Sequence, residues 1–166
     1  MSAPVPEGKD HPPQRGRLYE DFSVGDRYAH WPGRTVIEAD NSWFTLLTMN
    51  THPVHFDAAF AAGEEFGKPL VNSLLTLAIV TGMSVRETSQ QAIANLGWSE
   101  IRLPAPVFVG DTLYAHSVVT GKRLSRSRPG QGIVSVRTTG TNERGVAVIE
   151  FGRSFLVRCR EPGANR

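Results

Sequence analysis

The run Ser73-Leu74-Leu75-Thr76-Leu77-Ala78-Ile79-Val80-Thr81-Gly82-Met83-Ser84-Val85-Arg86 decides how this chain folds. Seven apolar side chains (Leu74, Leu75, Leu77, Ala78, Ile79, Val80, Met83) make it apolar nearly all round, and a helix without a polar face belongs in an interior. The wider stretch Leu70 to Met83 contains Asn72, Ser73, Thr76, Thr81 and Gly82, so it is too short and too polar to span a bilayer. Downstream the period changes. Ile133 to Thr139 alternates, with Val134, Val136 and Thr138 on one side and Ser135, Arg137 and Thr139 on the other. Asp111 to Thr120 and Val146 to Arg158 read as further strands, punctuated by Gly110-Asp111, Arg128-Pro129-Gly130 and the turn Thr141 to Gly145. Arg27 to Arg34 reads as a first strand. A strand, then helices, then antiparallel strands is an α+β pattern, satisfied by a mainly antiparallel sheet curved around one long central helix.

Two shorter helices are expected between the first strand and the central helix. Thr35 with Glu38 three residues on is a capping-box signature, and Trp43, Phe44, Leu46 and Leu47 then supply an apolar face. A second helix runs from about Asp57 through Ala61. Residues 1–16, with Pro4, Pro6, Pro12 and Pro13, read as a disordered N-terminal arm. Residues 17–160 read as one domain, and 161–166 as a flexible tail.

Composition narrows the function classes. Eighteen Lys and Arg against sixteen Asp and Glu leave a charge of only +2, a poor match for a nucleic-acid binder. A single cysteine, Cys159, excludes an intramolecular disulfide and suits a reducing compartment. Met1 to Gly16 are rich in Pro, Gly and charge and lack an apolar h-region, so no signal peptide is expected. A soluble, cytoplasmic protein without nucleic-acid or membrane partners is expected.

The chemistry-bearing stretch is Leu46-Leu47-Thr48-Met49-Asn50-Thr51-His52-Pro53-Val54-His55-Phe56-Asp57. Pro53 breaks the helix and stiffens the turn from which His52 and His55 project. Two histidines, an Asn and an Asp so close together suit acid–base work, because imidazole is the side chain that ordinarily titrates near neutrality. They also admit metal ligation by His52, His55 and Asp57, although no zinc signature is present. A third reading is a polar loop in which Asp57 caps the next helix. No Ser–His–acid signature or Gly-rich phosphate loop occurs elsewhere.

This stretch resembles the signature of the MaoC-like, R-specific enoyl-CoA hydratases: an Asp, a variable residue, Asn-Pro, an aliphatic residue, His, a variable residue and Asp. Pro53, Val54, His55 and Asp57 match it, and Ala61 follows at the family's distance. Phe66-Gly67-Lys68-Pro69 leading into the central helix, and Val109-Gly110-Asp111-Thr112-Leu113 leading into the strands, look like the same family. The resemblance covers residues 19 to 158. Asn50 stands where the family has its first Asp, His52 replaces the Asn before Pro, and Asn72-Ser73 replaces the usual His-Gly. The form Thr-Met-Asn-Thr-His-Pro-Val-His-Phe-Asp is closest to a subgroup linked to itaconyl-CoA or mesaconyl-CoA hydration.

The resemblance implies a hot-dog fold and a hydratase or dehydratase adding water to a 2-enoyl-CoA thioester. His55 would act as base and acid, Asn50 would orient water or the thioester, and the Ser73 backbone N–H would face the thioester oxygen. His52, Asp57 and Asn72 are possible supports. Arg123, Arg126 and Arg128 are candidates for the phosphates of coenzyme A. No metal and no cofactor beyond the substrate's own coenzyme A are implied, and a homodimer or higher homo-oligomer is. Two rivals stay open: a hot-dog acyl-CoA thioesterase, and a non-catalytic acyl-CoA-binding or regulatory protein.

Overall fold

The structure is a computed structural model that describes residues 15–160; the expected arm (to residue 14) and tail lie outside the described residues. Its frame is a five-stranded antiparallel sheet with strand order β1-β3-β4-β5-β2. The strands are β1 (Arg27–Thr35), β2 (Ala92–Arg102), β3 (Thr112–Leu124), β4 (Gln131–Thr141) and β5 (Ala147–Arg158). Between β1 and β2 come α1 (Glu38–Leu47), α2 (Ala58–Ala62) and the central α3 (Ser73–Ser84), which runs on as a π-helical turn, Val85–Ser89.

Four strands were legible in the sequence; β2 was not. Its partner register with β5 slips three times along its length, and Gly97 (φ 150°) and Glu100 (φ 49°) lie in backbone conformations that interrupt a pleat. Each irregularity shifts the inward and outward sides, so the period-2 pattern that reveals a strand is lost.

The α3 helix lies on the sheet by one face. Leu75, Thr76, Val80 and Ser84 are buried, while Ser73, Leu74, Ala78 and Gly82 are exposed. The expectation of a fully buried helix is therefore corrected: within one chain the sheet covers only the inner side. The contact there is close. A Cβ on Gly140 would sit 2.8 Å from a Val80 methyl, so glycine is what lets helix and β4 approach.

The core comes in two apolar clusters, of which the first packs against α3. One gathers Val36, Val71, Leu75, Val80, Leu113, Ile149 and Phe151; the other gathers Phe22, Val119, Val134, Val136, Phe155 and Val157. A buried polar belt crosses the strands between them: His30 on β1, Ser117 on β3, Thr138 on β4 and Arg153 on β5. The helical side answers with Ser84, Glu87, Thr88 and Ser89.

The helix α1 also differs from expectation, in its cap and in its buried face. Thr35 ends β1 with its hydroxyl on the Thr112 hydroxyl (2.8 Å), and the cap falls two residues later, where Asp40 accepts the Ile37 N–H (2.9 Å). The expected apolar face is mostly turned outward. Phe44 packs on the core, but Trp43, Leu46 and Leu47 are exposed, and the buried residues of α1 are Asn41 and Thr45.

Candidate active site

The chain leaves α1 through a Schellman-type end: the Met49 N–H donates to the Leu46 carbonyl and the Asn50 N–H to the Thr45 carbonyl. Met49 occupies the left-handed position usually given to glycine (φ 59°), a conformation that costs a residue with a side chain on the order of 1 kcal/mol. That turn fixes Asn50. Its Oδ1 accepts the His52 backbone N–H (3.0 Å), and its Nδ2 hydrogens have no partner among the described residues.

Pro53, Val54 and His55 form a single 3-10 turn with His52 as its N-cap. The His52 Nδ1 accepts the Val54 N–H (3.3 Å), so its proton resides on Nε2. In His55 the tautomer is reversed. Its Nδ1 lies 2.8 Å from the Leu70 carbonyl, an acceptor only, so Nδ1 carries the proton and the Nε2 lone pair is left without a partner among the described residues. The two rings stand 6.0 Å apart. Asp57 caps α2 by accepting the Phe60 N–H (3.0 Å), which is the capping reading of that residue.

Next to this loop begins α3. Asn72 is its N-cap, buried, with its Oδ1 accepting the Leu74 N–H (3.0 Å) and its Nδ2 donating to the Thr45 hydroxyl (3.2 Å). Capping serves the second helical position and leaves the Ser73 N–H, at the first, without an acceptor among the described residues on the positive end of a twelve-residue helix. The arrangement thus joins a proton acceptor (His55 Nε2), an amide donor (Asn50) and a helix N-terminus suited to an oxyanion.

Six of the sequence-derived candidates therefore meet in one region: Asn50, His52, His55, Asp57, Asn72 and Ser73. Arg123, Arg126 and Arg128 do not join them. They sit at the β3–β4 hairpin, whereas the site lies by the start of β3, where Val36 and Asp111 pair. Thr112 to Leu124 spans about 40 Å of strand, so the basic cluster lies at the far end of the sheet within one chain. Among the described residues no group of three or more His, Cys, Asp or Glu side chains is placed to hold a metal.

The sequence reading missed Asn41 and Thr45. Asn41 is 1% exposed and bonds to both the His55 and Leu70 carbonyls. The available signal was their four-residue spacing, which puts two polar side chains on one face of α1; the larger apolar residues drew the face the other way. Another unread feature is the chain Glu87–His30–Ser117: His30 Nδ1 lies 3.0 Å from the Glu87 carboxylate and Nε2 lies 2.8 Å from the Ser117 hydroxyl. The connectivity imitates a hydrolase triad. Ser117, however, is fully buried and also bonded to Thr138 (2.8 Å), so no substrate reaches it. Burial depresses the His30 pKa below the ordinary histidine value, with the Glu87 hydrogen bond opposing. Arg153 is also depressed by burial; among the described residues its guanidinium hydrogen-bonds to the hydroxyls of Ser84, Thr88 and Ser89 and lies over the Phe155 ring.

The fold and the loop define a hot-dog protein with a histidine bonded to the segment that leads into its central helix. The pattern of the MaoC like domain matches residues 21–142, and the chain belongs to that family. A mesaconyl-CoA hydratase from Cereibacter sphaeroides is 36% identical over 149 residues, 90% of this chain and 43% of its own. The solved structure of a monoamine oxidase regulatory protein from Archaeoglobus fulgius superposes with a TM-score of 0.78 at 31% identity, covering 89% of this chain and 98% of that one. A Mycobacterium tuberculosis protein with a double hotdog fold superposes with a TM-score of 0.79 at 26% identity, covering 90% of this chain and 47% of its own. The chain spans about two fifths of the length of the first curated relatives it matches.

Proposed function

We propose that this protein is a hydratase adding water across the double bond of a 2-enoyl-CoA thioester, with a branched dicarboxylic acyl group of the mesaconyl or itaconyl kind as substrate. The observation that carries the reading is the His55 tautomer: Nδ1–H is tied to the carbonyl of Leu70, two residues before the Asn72 cap of α3, and Nε2 has no partner among the described residues. In the forward reaction Nε2 takes a proton from water as the water oxygen bonds to the β-carbon. The electron pair of the double bond moves onto the thioester oxygen, which the Ser73 N–H and the helix end stabilise. The imidazolium then returns its proton to the α-carbon, and the site is regenerated. Asn50 cannot accept that proton, so one histidine serves both transfers while the Asn50 amide orients water or thioester. The substrate class rests on similarity to the Cereibacter sphaeroides mesaconyl-CoA hydratase. No cofactor beyond the substrate's coenzyme A is needed, and the single cysteine fits a cytoplasmic setting.

The working unit is a homodimer in this reading. The edge strand β2 exposes Ile93, Leu96, Trp98 and Ile101, and α1 exposes Trp43, Leu46 and Leu47. An apolar edge of this length is a liability unless covered. A relative of about twice the length carries a double hotdog, which is the cover a second copy would supply here. The Arg123, Arg126 and Arg128 cluster has a role at a coenzyme A phosphate only if a second copy brings it near.

A panel of enoyl-CoA esters including mesaconyl-CoA, itaconyl-CoA and crotonyl-CoA, followed by loss of the conjugated thioester absorbance, tests the activity. Turnover of none of them, with acyl-CoA binding retained, favours the regulatory reading that Asn50 and the likeness to the Archaeoglobus protein keep in play. Release of free thiol instead of hydration favours the thioesterase. Light scattering tests the dimer; a stable monomer at micromolar concentration overturns it.

A further inference from the structure

We propose that Asn41 is a positioning residue for this site, a clamp that sets both the tautomer of His55 and its placement against the start of α3. The proposal rests on the hydratase reading for its kinetic consequence, though not for its structural one. The side chain is 1% exposed and makes three hydrogen bonds to three different backbone groups. Its Nδ2 donates to the His55 carbonyl (2.6 Å) and to the Leu70 carbonyl (3.0 Å), and its Oδ1 accepts the Asn72 N–H (2.8 Å). Only one orientation of the amide satisfies two acceptors on one side and a donor on the other, so the assignment of oxygen and nitrogen is forced by the partners.

Each partner is a working part. The His55 carbonyl belongs to the residue whose ring is the proton acceptor. The Leu70 carbonyl is the group that holds the His55 Nδ1 proton (2.8 Å), and with Asn41 on its second lone pair it is saturated. The Asn72 N–H belongs to the N-cap of α3, one residue before the donor at Ser73. One buried amide therefore spans the backbone of the base, the carbonyl that fixes its tautomer and the cap of the oxyanion helix. Thr45, one turn further along α1, reinforces the frame by accepting from the Asn72 amide (3.2 Å). A side chain that served folding alone would need any buried partners; these three have in common that they set the separation between Nε2 and the Ser73 N–H.

The test uses the full chain with Asn41→Asp and Asn41→Ala. Aspartate keeps the shape and the acceptor toward Asn72, but presents an oxygen in place of the two donated hydrogens. Two readouts are taken under conditions where circular dichroism shows each variant folded. The first is ¹⁵N-edited NMR of the imidazoles. Wild-type His55 is expected as the Nδ1–H form; the variants are expected to show a mixture or the Nε2–H form, while His52, which Asn41 does not touch, keeps its proton on Nε2. The second is hydration of the best ester from the panel, where kcat is expected to fall roughly ten- to a hundredfold, the scale of a misplaced reacting group, with KM changed less than about threefold. If Asn41→Ala fails to fold, the isosteric aspartate variant carries both readouts. A folded variant that keeps the His55 Nδ1–H form and wild-type kcat overturns the proposal. If wild-type protein hydrates no ester, the functional reading fails by itself, and the NMR result still decides whether Asn41 sets the tautomer.

Discussion

Replacing His55 by asparagine separates the chemistry of the site from its architecture. The asparagine Nδ2 falls where the imidazole Nδ1 stands, so the hydrogen bond to the Leu70 carbonyl (2.8 Å in the wild type) has a donor to replace it. What disappears is Nε2, the lone pair that takes the proton. Because that bond is retained and the ring is only half-buried, the loss of stability is expected to stay within about 1 kcal/mol, small against the 5–15 kcal/mol typical of a domain. The chemical loss is larger. General acid–base catalysis contributes about a hundredfold or more, which corresponds to roughly 2.7 kcal/mol of transition-state stabilisation, and here one group performs both transfers. The assay is steady-state hydration of the best ester alongside thermal melting. The expected outcome is a kcat at least about a hundredfold lower, KM little changed and a melting temperature within a few degrees. Near-normal turnover by a folded His55→Asn protein would refute the assignment of the site.

Three other outcomes follow from the geometry. Asn50→Ala is expected to lower kcat by about tenfold, the worth of a hydrogen bond, less than the histidine variant loses; Asn50→Asp, which supplies an acidic group, is expected to change the ratio of rates on crotonyl-CoA and mesaconyl-CoA, and an unchanged ratio counts against a substrate-facing Asn50. Arg153→Met removes a buried cation that has no carboxylate partner among the described residues: it bonds to three hydroxyls, two of which already donate to backbone carbonyls, and lies over the Phe155 ring; urea denaturation should find the variant as stable as wild type or more so, by up to a few kcal/mol, and a marked loss would mean that these contacts outweigh the cost of burying the charge. Since the folded-state pKa of His30 lies below the ordinary value, the unfolded chain takes up this proton first as pH falls. The stability from this residue is thus present above about pH 6.5 and is lost below it; denaturation at pH 8 and pH 5.5 should show a difference that shrinks in His30→Gln.

The legibility of each element in the sequence follows from how local its cause is. The strand β4 alternates along its whole length, β3 does so over residues 112–119 and β5 over 149–155, because one face is buried there, and that period survives in the sequence. Pro53 and the histidines around it are a contiguous turn, so their proximity to one another needs no tertiary information. Asp57 caps α2 within its own segment. The strand β2 escaped because its bulges erase the pattern, and α1 was turned the wrong way because size and apolarity favoured Trp43 and Leu47 over Asn41 and Thr45. Those two polar side chains are buried by what they bond across the chain, fourteen to thirty-one residues away, and periodicity carries no record of such partners.

By itself, then, the sequence determined the α+β class, the central helix, most of the sheet and the loop that bears His55, since each depends on local period, capping or a contiguous motif. Only the tertiary structure decided which nitrogen of His55 is free, that Asn72 caps α3 and leaves Ser73 unclaimed, that Asn41 binds loop to helix, and that Arg123, Arg126 and Arg128 lie at the other end of the sheet. These are consequences of hydrogen-bond partners distant in the chain and of the length of β3, and a linear order of residues does not specify the distances between its segments until the sheet has closed over α3.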